Sequence, residues 1–86
     1  MMNYPTMKDV LKMSDEDRKA LEISLIDDFT YIGSSCEDGR YRFFDDSAVV
    51  ETSELIDLSE LYYSGLHGYI YKGQSLDDFV IGTWKY

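Results

Sequence analysis

Apolar positions in the first third of the chain recur at helical spacing, and two N-cap signals accompany them. Thr6 is followed three residues later by Asp9, a capping-box pattern that predicts a short helix over about 7–13. Ser14 is followed by three acidic residues, which predicts a second helix that ends near 26–28. We therefore expect the first 28 residues to be mainly helical.

After residue 28 the pattern changes from helical to alternating, as in half-buried strands. The pair Asp38-Gly39 supplies the positive φ angles that a tight hairpin turn requires, and 45–47 has the composition of a second turn. These turns separate three segments rich in aromatic or β-branched residues, 29–34, 40–44 and 48–52. We expect them to form an antiparallel meander.

The last third of the chain has weaker patterns. Residues 53–63 have helical spacing in part, so a short helix and a loop both remain open. Residues 68–73 and 79–86 are typical of strands. The segment between them is either a loop or a short helix capped by Ser75.

Together these elements predict a single α+β domain over 1–86. Residues 1–28 are helical in this interpretation, and 29–86 are mostly sheet. We expect the N-terminal helices to pack on one face of a four- or five-stranded antiparallel sheet. A chain of 86 residues has room for one thin core of two layers and none for a deep, enclosed active site.

The composition adds a strong acidic bias. The chain has 17 Asp and Glu against 8 Lys and Arg, a net charge of -9, while 44% apolar residues favour a folded domain. We expect no direct binding to nucleic acid and none to an anionic membrane surface, because both require Lys and Arg. A basic protein surface is the expected partner.

Location follows from other features of the sequence. The single cysteine, Cys36, cannot form an intrachain disulfide, which favours a reducing compartment. The N-terminal residues lack the basic and continuous apolar regions of a signal peptide, and no apolar run approaches the ~20 residues of a membrane span. We expect a cytoplasmic protein.

The acidic charge is concentrated after residue 26. Residues 1–26 have a net charge of -1, and 27–86 have -8. The stretch between Phe43 and Tyr71 contains six acidic residues and no Lys or Arg, so we expect it to face solvent or a cationic partner. Acidic pairs occur at predicted turns or element ends, at 27–28, 37–38, 45–46 and 77–78. Turn pairs of this kind could line up along one edge of the sheet.

A purely solubilising role for these acids remains open. Asp is a common turn residue in its own right, and acidic surfaces keep small domains in solution. Against this, a charge of -9 implies self-repulsion in the folded state, which favours a selected function for the acidic face.

Tyrosines add a second kind of candidate. Tyrosine combines apolar area with a hydrogen-bonding hydroxyl and is enriched at interface hot spots. About half of the eight tyrosines are expected in the core, Tyr41, Tyr69 and Tyr71 among them. Tyr62 and Tyr63, near Glu60, are the best candidates for exposed residues. Together they could bind an arginine, which would stack on a ring and form an ion pair with the acid.

The sequence contains no constellation typical of catalysis. His67 is the single histidine and lies between glycines, and Cys36 lies beside acidic residues, a setting that disfavours a thiolate. No glycine-rich phosphate motif or spaced calcium loop occurs. We expect neither an enzyme nor a cofactor or metal site.

The segment Tyr41–Val50 places an aromatic strand, an acidic turn and an aliphatic strand in succession. With this segment, and in size and charge over its whole length, the chain resembles the small acidic inhibitors of host defence that phages and mobile elements encode, the anti-CRISPR and anti-restriction proteins. Several of these proteins mimic nucleic acid.

The resemblance implies that an acidic face occupies the basic nucleic-acid channel of a CRISPR effector or another nuclease complex in the host cytoplasm. Carboxylates would pair with Lys and Arg of the partner, and two tyrosines would anchor the contact. The residues expected at this interface are Asp27, Asp28, Glu37, Asp38, Asp45, Asp46, Glu51, Glu54, Asp57, Glu60, Tyr62 and Tyr63.

Two other functions remain open. An immunity or antitoxin-type protein also uses acids and tyrosines, against a basic toxin. A structural or regulatory subunit would instead use an apolar edge strand such as 79–86 for dimerisation or strand addition, with charge serving solubility alone.

Overall fold

The computed structural model describes residues 4–26 and 31–84, without the side chain of Trp84. Its helices are short. The α-helices are α1 (Met7–Lys12) and α2 (Asp15–Ala20), and 3-10 helices span Leu58–Glu60 and Leu76–Phe79. Among these described residues, no helix is long and apolar enough to cross a membrane.

The strands form two antiparallel sheets of four strands each. Sheet I has the order β1-β5-β6-β7, with β1 Ile23–Leu25, β5 Leu61–Ser64, β6 Gly68–Tyr71 and β7 Gln74–Ser75. Sheet II has the order β2-β3-β4-β8, with β2 Gly33–Glu37, β3 Arg40–Phe44, β4 Val49–Thr52 and β8 Val80–Trp84.

The expected α+β class is confirmed, but the expected arrangement of helices on one sheet is wrong. Val10 of α1 is fully buried, whereas α2 buries no residue. The α2 residue Arg18 instead donates from Nε to the carbonyl of Val10 (3.0 Å) and from Nη2 to that of Leu11 (3.2 Å). The helices therefore do not share one sheet face, and of the two α-helices only α1 contributes a buried side chain.

Both helix starts are confirmed. Thr6 and Asp9 form a capping box, and the Ser14 hydroxyl accepts a hydrogen bond from the amide of Asp17. The first helix ends at Lys12, within one residue of the prediction.

The predicted end of the second helix is wrong. This helix stops at Ala20, and Glu22 takes a positive φ of 53°, which breaks the helical path. Ile23 and Leu25 then face one side of β1 at the two-residue period of a strand, and β1 pairs with β5. The free energy gained from this strand pairing and burial exceeds the local preference of these residues for a helix.

The predicted meander is confirmed as β2-β3-β4. Asp38 and Gly39 form the two-residue turn between β2 and β3 with φ of 54° and 75°, the backbone shape of a type I′ hairpin. Strand β2 begins at Gly33 rather than residue 29, and the predicted residues 29 and 30 lie outside the described part of the chain.

The last third contains more strand than expected. Residues 53–63 include a 3-10 helix and also the first part of β5, a strand that the sequence pattern does not reveal. The Ser75 hydroxyl accepts a hydrogen bond from the amide of Asp77, so the alternative of a short helix capped by Ser75 is confirmed. Strands β6 and β8 lie within the predicted ranges.

Alternation along sheet I divides the core into two clusters. Leu61 and Tyr71 belong to the cluster that contains Phe43 of sheet II. Tyr62 and Ile70 belong to a second cluster with Val10 of α1. Sheet I is therefore covered on one face by sheet II and on the other by α1, and both of its faces are largely apolar.

Candidate functional site

Two of the predicted interface acids form ion pairs inside the chain. Glu51 lies 4.0 Å from Arg40, and Glu54 lies 3.6 Å from Lys72. Ion pairing within the chain therefore reaches two carboxylates of the stretch between Phe43 and Tyr71, although that stretch contains no Lys or Arg of its own. Strand register and tertiary folding bring basic residues to them from just outside the stretch.

Glu37 also forms an ion pair within the chain. Arg42 donates to its carboxylate at 3.2 Å, and Arg42 stands directly across the β3–β4 ladder from Glu51. By strand alternation these side chains project from the face of sheet II opposite Phe43. This face carries charges of both signs.

The side chain of Asp45 stabilises the turn between β3 and β4. Its Oδ1 accepts from the amide (2.8 Å) and hydroxyl (2.8 Å) of Ser47 and from the amide of Ala48 (2.9 Å). Its Oδ2 accepts from the hydroxyl of Tyr69 at 2.9 Å, which ties the turn to sheet I. Burial raises the pKa of Asp45, but the hydrogen bonds from Ser47, Tyr69 and Ala48 together outweigh it, and the pKa lies below its usual value.

Asp57 has a similar local function. Its carboxylate accepts from the hydroxyl (2.7 Å) and amide (3.0 Å) of Ser59, which starts the 3-10 helix, and these bonds lower its pKa. Its own amide donates to the hydroxyl of Tyr71 at 3.0 Å. The side chain is exposed, but its position is fixed by the cap.

Four predicted acids are exposed and without an ion pair among the described residues: Asp38, Asp46, Glu60 and the cap residue Asp57. Asp38 and Asp46 lie beyond opposite ends of β3, a strand of five residues that spans roughly 17 Å. The acidic pairs 37–38 and 45–46 therefore do not share one sheet edge. Asp27 and Asp28 lie outside the described residues.

The expectation that Tyr62 and Tyr63 are both exposed was wrong. Tyr62 lies in β5 with 2% of its surface exposed, and its hydroxyl donates to the carbonyl of Pro5. Burial raises its pKa to about 12. Tyr63 is half-buried and packs edge-to-face on Tyr69 at 5.1 Å. The cause is strand alternation: α1 covers the Tyr62 face of sheet I.

The structure brings a different set of residues together beside the β3–β4 turn. A pocket of about 120 Å³ opens there, with apolar walls from Phe43, Ala48, Val50, Leu76 and Val80. Its remaining lining residues are Asp45, Tyr69 and Asp77, so no Lys or Arg lines it. We refer to these eight residues as the acidic pocket.

Aromatic rings extend from the acidic pocket across sheet I. Tyr69 packs edge-to-face on Phe43 at 5.2 Å and on Tyr63 at 5.1 Å. Burial raises the pKa of Tyr69, as do its hydrogen bond to Asp45 and the nearby charge of Asp46. We call Asp45, Asp46, Tyr63, Tyr69 and Asp77 the acidic–aromatic patch.

Asp77 and Tyr69 are not among the interface residues that the sequence indicates. The signal for Asp77 is present, since it belongs to the fourth acidic pair, at 77–78. Folding brings Asp77 of this pair to the same pocket as Asp45 across 32 positions of sequence. For Tyr69 the strand pattern predicts burial, and its position next to acids depends on the packing of the two sheets.

Groups with catalytic potential are dispersed. His67 is exposed in the turn after β5 and packs on Tyr4 at 4.8 Å, and Cys36 is exposed in β2 rather than in a loop. Within residues 4–26 and 31–84, no group of three or more His, Cys, Asp or Glu is placed to hold a metal ion.

Comparison of the chain with models of protein families, with curated proteins and with solved structures finds no match.

Proposed function

We propose that this chain is an acidic inhibitor that binds a basic, nucleic-acid-binding surface of a protein and blocks access of nucleic acid to it. The net charge of -9 supports this proposal, because complementary charge speeds association with a basic surface and disfavours binding to nucleic acid itself. The proposed action is steric and electrostatic and includes no chemical step.

The acidic–aromatic patch is the observation that carries the proposal. Asp46 and Asp77 are exposed and lie near the half-buried Tyr69, which packs on Tyr63. A partner arginine can pair with such carboxylates and pack against the rings at the same time. The pocket lining contributes no positive charge that would compete with the partner.

Other exposed acids support the proposal at longer range. Asp38, Glu60 and Asp78 are exposed and form no ion pair within the described residues, and they add to the negative field that steers a basic partner. We do not assign direct contacts to the internally paired Glu37, Glu51 and Glu54, or to the buried Tyr62, in this proposal.

Within this class we favour an anti-CRISPR or anti-restriction inhibitor that mimics nucleic acid in the host cytoplasm, on the resemblance in size and charge. An immunity protein against a basic toxin would use the same patch. The partner's identity separates the two, because a nuclease complex that DNA displaces from the chain supports the first, and a toxin that carries no nucleic acid supports the second.

The test is capture of partners from host lysate by the tagged chain at low salt and at about 0.5 M salt, where the Debye length is roughly 4 Å. We expect a nucleic-acid-binding complex that is lost at high salt and displaced by DNA. The matched variants are Asp46→Lys in the patch and Glu16→Lys in α2, both at exposed positions.

Asp46→Lys is expected to abolish most of the capture, and Glu16→Lys to change it little. Equal loss with both variants would remove the patch from the interface, and a partner retained at high salt would contradict the electrostatic mechanism. Asp45→Lys is not used, because Asp45 holds the β3–β4 turn.

A second candidate function rests on strand β8. It lies at an edge of sheet II, contains no charged residue, and exposes 63% of Ile81. Edge strands without charges or prolines can pair with a further strand, which would suit a structural subunit. A dimer on size-exclusion chromatography that persists at high salt and is lost in Ile81→Lys would favour this function over the inhibitor.

A further inference from the structure

The acidic pocket has room for one long side chain. Its volume of about 120 Å³ is several times the ~30 Å³ that a water molecule takes up in the liquid. The walls come from β3, β4, β6, β8, the β3–β4 turn and the 3-10 helix Leu76–Phe79, and most of them are apolar. An occupant therefore needs an apolar stem that covers these walls.

The two acidic residues that line the pocket have remaining capacity as hydrogen-bond acceptors. The Oδ1 of Asp45 is saturated by its three hydrogen bonds, but Oδ2 accepts only from Tyr69 and keeps a free lone pair. The carboxylate of Asp77 has no hydrogen bond or ion pair to the described residues. The occupant therefore needs several donors and a positive charge at its tip.

These two requirements are met by arginine better than by lysine. The guanidinium is planar, carries five N–H donors, and packs on aromatic faces such as that of Tyr69, whereas the ammonium of lysine is a compact and strongly hydrated charge. Its three methylene groups match the apolar walls.

We propose that the acidic pocket receives one arginine side chain of the basic partner, with the guanidinium between Asp45 and Asp77 and the stem against Val50 and Leu76. This inference rests on the proposed function and names the chemical group that the patch recognises. It also distinguishes Asp77 from its neighbour Asp78, which does not line the pocket.

The test needs no identified partner. The folded chain, labelled with ¹⁵N, is titrated with three blocked tripeptides that are identical except for a central arginine, lysine or citrulline. Citrulline has nearly the shape of arginine and no charge. We expect the arginine peptide to shift the amide signals of Ala48, Val50 and Leu76, and the other two peptides to shift them weakly.

The matched variants are Asp77→Asn and Asp78→Asn, which remove the same charge at adjacent exposed positions. We expect Asp77→Asn to raise the Kd of the arginine peptide by roughly fivefold or more, as for loss of a charge-assisted hydrogen bond, and Asp78→Asn by less than about twofold.

Each other outcome overturns the inference. Equal weakening by both variants would mean that only the general field matters, and equal binding of the citrulline peptide would mean that the charge is not recognised. Absence of binding by any peptide would also exclude the pocket. None of these results contradicts the proposed function, which salt-sensitive capture and the Asp46→Lys variant test separately.

Discussion

Asp45 shows how one acidic residue can serve the fold rather than the surface. It accepts four hydrogen bonds, three of them from the turn that it closes and one from Tyr69 of the other sheet. Asp46, the next residue, is exposed and forms no ion pair within the described chain. The sequence presents the two as equivalent, because the difference between them depends on which side of the turn faces sheet I.

We predict that Asp45→Ala lowers the free energy of unfolding by about 1–3 kcal/mol, because it leaves the Ser47 and Ala48 amides and the Tyr69 hydroxyl without their acceptor. Asp46→Ala is the matched control and should change it by less than about 0.5 kcal/mol. Urea unfolding followed by far-UV circular dichroism measures both. A loss of stability in Asp46→Ala as large as that in Asp45→Ala would contradict this division of roles.

The lowered pKa of Asp45 predicts a pH dependence. A carboxyl whose pKa is lower in the folded state stabilises the fold above its ordinary pKa of about 3.9, and this contribution is lost as the pH falls through the lowered value. The stability difference between the native chain and Asp45→Asn should be constant near pH 6 and shrink below about pH 4. Urea titrations at several pH values test this, with Asp46→Asn as a control for loss of charge. A difference that stays constant down to pH 2 would assign the effect to shape alone.

At the scale of elements, signals that act within a few residues of the chain were sufficient to predict structure. The Thr6–Asp9 capping box, the Ser14 cap and the Asp38-Gly39 turn all occur where the sequence places them. Each involves groups three residues apart or fewer, so no distant partner is needed. Strand β1 was not predicted, because its pairing partner β5 lies about 40 positions away in the sequence.

The candidate site was predictable to a smaller extent, for the same reason. The acidic pair at 45–46 does lie in the acidic–aromatic patch, as does Tyr63. The pairing of Glu51 with Arg40 and the burial of Tyr62 depend on register and on the cover that α1 provides. Composition gave the charge of the surface, and the folded structure determines which carboxylates remain available.

The β2–β3 turn provides a prediction for a single element. Gly39 has a φ of 75° with no atom within 4 Å of an added Cβ, so strain of the backbone is the main cost of a substitution. Gly39→Ala should therefore lower the free energy of unfolding by roughly 1–2 kcal/mol. Asp38→Asn is the control, since asparagine tolerates the left-handed region, and should have little effect. Thermal unfolding of both variants measures this, and an unchanged Tm in Gly39→Ala would show that the turn adopts another shape in solution.

At the scale of the whole molecule, the core is formed by two thin sheets and α1, while the chain carries a net charge of -9. Sheet I is buried on both faces, so most of its apolar residues serve the core. Most acidic residues of the described chain lie at turns and helix starts, and Glu37 and Glu51 lie in strands. Four ion pairs match only some of these acids. The arrangement keeps a negative field on a small domain, and no unpaired carboxylate of the described residues lies in the core.

This charge balance predicts how salt changes stability. Exposed ion pairs contribute little, typically below about 1 kcal/mol each, whereas the repulsion among the excess carboxylates acts over the whole surface. Raising the ionic strength from about 0.01 M to 0.15 M shortens the Debye length from roughly 30 Å to 8 Å and should relieve more repulsion than attraction. We expect the Tm to rise by several degrees, since about 1 kcal/mol corresponds to roughly 4–8 °C in a domain of this size.

The double variant Asp38→Asn/Asp46→Asn removes two exposed charges and should respond less to salt than the native chain, because less repulsion remains to be screened. Differential scanning calorimetry in sodium chloride compares the two proteins, and a Tm that falls with salt in both would show that the ion pairs, and not the excess acids, dominate the electrostatic energy of the fold.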